Sequence, residues 1–209
     1  SSWRSASSTW SLPASVNSCY ETAMVLDIQD ITRLLTERGA QQYGMEAVSQ
    51  LEHALQCAHL AESAGEDDEL VIACLLHDLG HLLAAEKSGP TEPDLKSGAL
   101  PHSTLLPFLR HGLPDAVLEP IRLHVDAKRY LCQVENGYFE SLSPASVHSL
   151  AQQGGMFDTT QCDAFMAQEH AYEAVRLRRY DDLAKVAGKQ VPGLDHYLPR
   201  LQALMHGTD

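Results

Sequence analysis

The chain has few of the features that mark secreted, membrane-spanning or nucleic-acid-binding proteins. Its five cysteines never form a C-x-x-C pair, and an odd number argues against a disulfide framework, so we expect reduced thiols in a cytoplasmic protein. No stretch approaches roughly 18 consecutive apolar residues, so we expect no membrane span. The net charge of -13 disfavours nucleic acid and anionic membranes as partners, but allows a small anionic substrate in a locally basic pocket.

Alternating apolar and polar residues, the pattern of β-strands, are also scarce, and helical periodicity dominates the sequence. With 209 residues and 44% hydrophobic content, the chain can bury a substantial core, and we expect a single domain over residues 21–209. Residues 1–20 are serine-rich and contain no apolar signal-peptide segment. We interpret them as a disordered tail or as residues added for expression.

The apolar pattern predicts an all-α bundle of about eight helices with a metal site in its core. Ser143 and Pro144 are typical of a helix start, as N-cap and first helical residue. Residues 87–101 contain three prolines and two glycines, which predicts a loop long enough to act as a lid over a site. The predicted helices cover residues 25–38, 46–64, 67–83, 102–110, 115–131, 143–153, 160–187 and 194–205.

A histidine and an aspartate, His77 and Asp78, directly follow the apolar run 70–76. Adjacent helical residues point about 100° apart, so the two side chains do not share a face, but they can converge on an ion between them. Imidazole and carboxylate together suit zinc, iron or manganese. Such a pair is often a simple helix-end interaction. Here, however, the charge follows an apolar helix and is costly without a partner, which favours a metal.

Four further residues on other predicted helices are candidates to join this pair. They are His53, His102, His124 and Asp181. Taken singly, each has a simpler interpretation, as a core or surface histidine, a helix-terminal residue or a solvated carboxylate. Taken together, they put ligands on several helices, which is how helical bundles build buried metal sites.

The order of these residues resembles the HD superfamily, whose members are mostly metal-dependent phosphohydrolases. Four segments are more narrowly similar to the PhnZ-like HD-domain mixed-valence diiron oxygenases, to which myo-inositol oxygenase is more distantly related. The segments are QLEHALQCA (50–58), LLHDLGH (75–81), HVDAKRYL (124–131) and QGG (153–155). The resemblance runs from about residue 43 to the C-terminus, and AKRYL (127–131) is much more specific than the His-Asp pair.

The resemblance implies two irons, in the Fe(II)/Fe(III) state, with dioxygen as co-substrate. The implied ligands are His53, His77 and Asp181 for one iron, His102 and His124 for the other, and Asp78 as the bridge. The resemblance also implies that Tyr43 occupies an open iron position in the resting enzyme. The chain departs from the family at Ser103, where the family has a glutamate, and in the loop before His102.

Lys128 lies four residues after His124, so both side chains face the same way if they share a helix. A cation beside a metal-binding histidine repels the metal unless an anion lies between them, which predicts an anionic substrate group. A solvated lysine with a surface partner is the alternative. Arg178, three residues before Asp181, faces the same site or else forms a surface salt bridge.

The resemblance implies further substrate contacts and two catalytic residues, Lys128 and His81. It puts three polar residues at the phosphonate oxygens, and these are Ser146, Ser149 and Gln153; alternatively they form a wet helix face. His81 would hydrogen-bond the substrate, or else cap the carbonyl groups that end the third predicted helix. Tyr43 and Glu46 would form a movable gate that reads the cationic end of the substrate; alternatively, they are a surface tyrosine and a first-turn carboxylate.

The function that the resemblance implies is cleavage of the C–P bond of a small 1-hydroxyphosphonate by dioxygen, giving phosphate and a carboxylic acid. With 2-amino-1-hydroxyethylphosphonate the acid is glycine, and the trimethylammonio analogue is an alternative substrate. Two other functions stay open: an HD-type metal-dependent phosphohydrolase, and a metal-binding or ligand-sensing domain without catalysis. Phosphate release that needs no oxygen would favour the hydrolase.

Overall fold

Eleven α-helices and one π-helical segment make up the regular structure of the described residues. The structure is a computed structural model that describes residues 26–40, 46–88 and 101–206, without the side chains of 84–88, 101–104 and 206. The elements are α1 (Ile28–Arg33), the π-helical segment (Leu34–Arg38), α2 (Gln50–Ser63), α3 (Asp68–Leu76), α4 (Leu79–Ser88), α5 (Pro101–Leu109), α6 (Asp115–Val134), α7 (Tyr138–Ser141), α8 (Pro144–Gln152), α9 (Thr159–Met166), α10 (Ala171–Leu183) and α11 (Leu194–His206). The predicted all-α fold is confirmed, with more helices than the eight expected.

Helix α3, which contains the apolar run 70–76, lies in the middle of the bundle. Every residue from Leu70 to Leu76 is buried, as expected for a helix that is apolar on all sides. The main core surrounds it with apolar side chains from the π-helical segment and α2, α4, α5, α6, α10 and α11, such as Leu35, Leu55 and Tyr197. The residues that follow α3 are therefore delivered into the interior.

The third predicted helix does not continue to Leu83. It ends at Leu76, a turn holds His77 and Asp78, and α4 begins at Leu79. This turn lies at the end of a buried helix, and there His77 Nε2 is 3.5 Å from Asp78 Oδ2.

The predicted helix over 160–187 is wrong as a single element. The chain forms α9 and α10 instead, separated near His170, which has a left-handed backbone with φ of 63°. The segment contains no glycine or proline to signal this break. Phe165 of α9 and Ala171 and Ala174 of α10 pack in one small core against α6, so both helices lie on the same part of α6 on either side of the break.

Several predicted segments lie partly or wholly outside the described residues. The N-terminal tail, Tyr43 and residues 89–100 of the predicted lid are among them, although α4 extends to Ser88 and α5 begins at Pro101. Within the described ranges, no helix is both long and apolar enough to cross a membrane.

Helix α2 begins at Gln50, after a capping box, and not at Glu46 as the sequence pattern predicted. Ser49 Oγ accepts a hydrogen bond from Glu52 N at 3.2 Å, and Ser49 N donates to Glu52 Oε2 at 2.7 Å. These two bonds satisfy backbone groups that the first turn leaves open. The cap fixes the register of His53, which lies one turn further along the helix.

We expect Ser49→Ala to destabilise the fold by about 1 kcal/mol, the usual effect of removing an N-cap side chain. Urea denaturation measures the change as a lower midpoint with an unchanged slope. The matched control is Ser63→Ala, at the exposed end of the same helix, which should leave the midpoint nearly unchanged. Equal midpoints for both variants would contradict the capping role.

Candidate metal centre

Three buried side chains from three parts of the fold meet beside the end of α3. His53 comes from α2, His77 from the turn after α3 and Asp181 from the last turn of α10. Their candidate ligand atoms all lie within 4.8 Å of one another. His53 Nε2 is 3.3 Å from His77 Nε2 and 3.5 Å from Asp181 Oδ1. The structure thus brings together three of the residues proposed from the sequence.

Backbone carbonyls orient the imidazole rings so that each Nε2 faces inwards. A carbonyl oxygen only accepts hydrogen bonds, so each Nδ1 carries the proton and a neutral ring keeps its lone pair on Nε2. The bonds run from His53 Nδ1 to Ala184 O at 2.9 Å, from His77 Nδ1 to Cys74 O at 2.8 Å and from His124 Nδ1 to Ile121 O at 2.7 Å. Burial also lowers the pKa of His53, which favours its neutral form.

The spacing and the open valences of this cluster fit a metal ion. Metal bonds of about 2.1 Å at tetrahedral or octahedral angles separate ligand atoms by roughly 3.0–3.4 Å, close to the distances found here. Asp181 Oδ2 accepts from Arg178 Nη1 at 2.7 Å, whereas the buried Oδ1 accepts no hydrogen bond within the described part of the chain. An acceptor oxygen buried without a donor is costly unless a cation meets it.

Asp78 has its two carboxylate oxygens directed at different pairs of histidines. Oδ2 lies 3.5 Å from His77 Nε2 and 3.8 Å from His53 Nε2. Oδ1 lies 3.8 Å from His81 Nε2 and 4.0 Å from His124 Nε2. Burial would raise the pKa of Asp78, but the surrounding histidines hold it well below its usual range. An ionised carboxylate in this position is suited to bridge two cations.

Two predicted ligands cannot be compared with this geometry. His102 falls within α5, but its side chain is outside the described residues, and so is all of Tyr43. The described side chains on the second side of Asp78 are therefore those of His124 and the half-exposed His81. The roles of His102 and Tyr43 stay predictions.

Lys128 is a buried cation beside this cluster. Its side chain donates to Ser149 Oγ at 2.7 Å, and the residue is only 2% exposed. Among the described residues no carboxylate forms an ion pair with it. Burial, together with the nearby Arg178, lowers the pKa of Lys128 to about 7. A solvated lysine with a surface partner does not describe this side chain, and a buried cation of this kind favours an anionic ligand.

Arg178 lies inside the protein rather than in a surface salt bridge. Its guanidinium donates to Asp181 Oδ2, to both oxygens of Asp182 and to Tyr138 OH, and its Nη2 reaches Ser146 Oγ at 3.3 Å. The two carboxylates raise its pKa well above the ordinary value in spite of burial. The arginine therefore connects Asp181, a candidate metal ligand, with the α8 face that carries Ser146.

The polar stripe of α8 faces this interior region. Ser146 is buried, and Ser149 Oγ accepts from Lys128 while donating to Ser146 O at 3.1 Å. The amide oxygen of Gln153 is buried with no hydrogen-bond partner among the described residues. The stripe is thus not a wet surface, and the open acceptor valence of Gln153 points to a polar ligand that can donate a hydrogen bond.

Three residues of this pocket were not predicted from the sequence, namely Tyr138, Asp182 and Lys185. Lys185 follows Asp181 by four residues and Arg178 by seven, so helical spacing already indicated a shared stripe. Tyr138 is in α7, a four-residue helix, and nothing in its local sequence indicates that its hydroxyl reaches Asp182.

A histidine and aspartate cluster of this kind, at a break between core helices, defines an HD-type metal protein. The HD domain model matches residues 51–131, which contain His53, His77, Asp78, His102 and His124 but not Asp181. The match agrees with the superfamily expected from the sequence.

Two named relatives indicate the family within the HD proteins to which the chain belongs. The chain is 39% identical over 181 residues to hydroxymethylphosphonate dioxygenase of Gimesia maris, covering 85% of this chain and 88% of that protein. It is 32% identical over 178 residues to the glycine-betaine-forming [1-hydroxy-2-(trimethylamino)ethyl]phosphonate dioxygenase of Leisingera caerulea, covering 85% and 90%. The chain belongs to the PhnZ-like family of HD-domain oxygenases, as its motifs predicted.

Proposed function

We propose that the protein is a metal-dependent dioxygenase that cleaves the C–P bond of a small 1-hydroxyphosphonate. The products are inorganic phosphate and the carboxylic acid of the remaining carbon chain. The carbinol carbon gains one oxygen atom and phosphorus gains the other, so one O2 balances the reaction without an external reductant. Two relatives named as phosphonate dioxygenases support the reaction class.

The observation that carries the proposal is the direct connection between the metal-ligand cluster and two buried cationic side chains, Arg178 and Lys128. Asp181 faces His53 with one oxygen and Arg178 with the other. Arg178 in turn contacts Ser146, and Lys128 contacts Ser149 one turn along the same helix. A substrate that carries an anionic group next to a metal-binding hydroxyl could contact the metal and these side chains at the same time.

The protein residues bind and orient the phosphonate. Lys128 and Ser149 hold its oxygens by charge-assisted and neutral hydrogen bonds, and Gln153 can donate to them only through its amide Nε2, because the buried Oε1 without a partner is an acceptor. Arg178 chiefly holds neighbouring side chains in place, because two aspartates already compensate its charge. His81 lies beside Asp78 and is half exposed, so it can hydrogen-bond the substrate at the entrance to the metals.

The residues present fit two irons in the Fe(II)/Fe(III) state. His53, His77 and Asp181 would hold one, and His124 with the predicted His102 the other, with Asp78 between them. Mixed imidazole and carboxylate ligands with open positions suit iron in oxygenases. When bound, the metals supply the activation of dioxygen. The four described free thiols support a reducing compartment, so we propose a cytoplasmic location.

The test measures oxygen consumption and phosphate release in the same reaction. The protein is first loaded with iron under anaerobic conditions. Hydroxymethylphosphonate, 2-amino-1-hydroxyethylphosphonate and the trimethylammonio analogue of the latter form the substrate panel. The proposal expects one O2 consumed for each phosphate released, and no phosphate without oxygen. Phosphate release from phosphate esters at the same rate without oxygen would identify a hydrolase instead. Anion binding without turnover of any of these compounds would identify a sensing domain.

A further inference from the structure

The carboxylate of Glu46 faces a cation that belongs to the protein itself. Glu46 Oε1 accepts a hydrogen bond from Ser143 Oγ at 2.5 Å, and Lys185 Nζ lies 3.5 Å from the same oxygen. Both charged side chains are largely buried, with 14% and 12% of their surface exposed. Ser143 is also the N-cap of α8, so the carboxylate is held at the positive end of a helix.

The ammonium group of Lys185 also contacts Ser146 and lies near Asp181. It donates to Ser146 Oγ at 3.2 Å and lies 3.9 Å from Asp181 Oδ1. The backbone next to it is tied to α2, because Gln56 Nε2 donates to Val186 O at 2.9 Å and Gln56 Oε1 accepts from Val186 N at 3.1 Å. These contacts leave the lysine little freedom to withdraw from the carboxylate.

A substrate ammonium would therefore compete with a cation already in place. If it were hydrogen-bonded to Glu46 Oε1, it would lie within about 6.5 Å of Lys185 Nζ. At that separation, in a partly buried site, like charges repel appreciably, and the carboxylate they would share is already neutralised. We infer that Lys185 fills the cation position beside Glu46, so that the site selects a 1-hydroxyphosphonate whose far end carries no positive charge.

This inference rests on the proposed function and deepens it, and it is tested by comparing two substrates. Hydroxymethylphosphonate has no far-end cation, and 2-amino-1-hydroxyethylphosphonate has one. We expect kcat/KM of the wild-type protein to favour the former by at least about tenfold. Lys185→Met should reduce this preference at least about tenfold, mainly through a gain with the amine substrate, whereas Lys185→Arg should retain it.

A double variant and a surface control separate this role from general damage. Glu46→Gln combined with Lys185→Met should abolish the gain with the amine substrate, because the carboxylate that accepts it is gone. Lys189→Met, which removes an exposed lysine on the same segment, should leave the preference unchanged. A wild-type preference for the amine substrate, or equal changes with both substrates in Lys185→Met, would overturn the inference.

Dissociation constants measured for the two compounds without oxygen test the inference independently of the proposed function. If neither compound consumes oxygen, the proposed function fails, while tighter binding of hydroxymethylphosphonate still supports the charge selection. Equal affinity, tighter binding of the amine or no binding of either compound overturns the selection regardless of turnover.

Discussion

Replacing Asp78 with alanine should reduce the metal content of both halves of the site by at least about tenfold. The carboxylate faces His53 and His77 with one oxygen and His81 and His124 with the other. Without it, two cations a few ångströms apart would repel each other with no negative charge between them. Elemental analysis after iron loading and gel filtration measures the loss.

Two variants distinguish loss of the bridge from loss of the fold. Asp163→Ala removes one exposed carboxylate from α9, changes the net charge equally and should retain the full metal content. Asp78→Asn keeps the size of the side chain, and it should lose metal with an unchanged far-ultraviolet circular dichroism spectrum. Retention of one tightly bound metal in Asp78→Ala would assign the aspartate to a single metal rather than to a bridge.

Replacing Lys128 with methionine should weaken phosphonate binding roughly 10- to 150-fold, with iron content near that of the wild-type protein. A charge-assisted hydrogen bond in a buried site contributes about 1.5–3 kcal/mol, and methionine keeps the length of the side chain while removing its charge. Anaerobic calorimetry measures the affinity. Lys189→Met is the matched control, and unchanged affinity in Lys128→Met would refute the assignment.

The depressed pKa of Lys128 adds a pH dependence to the same prediction. Its pKa is about 7 without ligand, so above pH 7 the binding of an anion must restore the proton to the lysine. Affinity should therefore fall as the pH rises above 7, and binding at pH 8 should take up a proton. Calorimetry in two buffers of different ionisation enthalpy measures this uptake, which should disappear in Lys128→Met.

Short sequence patterns were sufficient to predict the elements that neighbouring residues determine. The apolar run 70–76 predicted an apolar helix, and Ser143 with Pro144 predicted the start of α8; both are present. His77 and Asp78 were recognisable because a charge that follows an apolar helix is costly without a partner, and the other metal-ligand candidates because their order resembles the HD superfamily. Of these, His53, His77, Asp78, His124 and Asp181 converge in the structure.

Long-range packing decided the features that the sequence did not reveal. The break between α9 and α10 has no glycine or proline signal, and residues on both sides of it pack in one small core against α6. The pairing of Lys185 with Glu46 joins residues far apart in the sequence, which the fold brings together beside the first turn of α8. Helical spacing indicated the stripe to which Lys185 belongs, but not the partner of its charge.

Electron paramagnetic resonance of the iron-loaded, partly oxidised protein tests the central claim most directly. Asp78 lies between two sets of histidines, so we predict two irons per chain, coupled through the bridge. Partial oxidation should produce the signal of an antiferromagnetically coupled Fe(II)/Fe(III) pair, and a 1-hydroxyphosphonate should change that signal. A single uncoupled iron, or full activity with stoichiometric zinc or magnesium, would contradict the account.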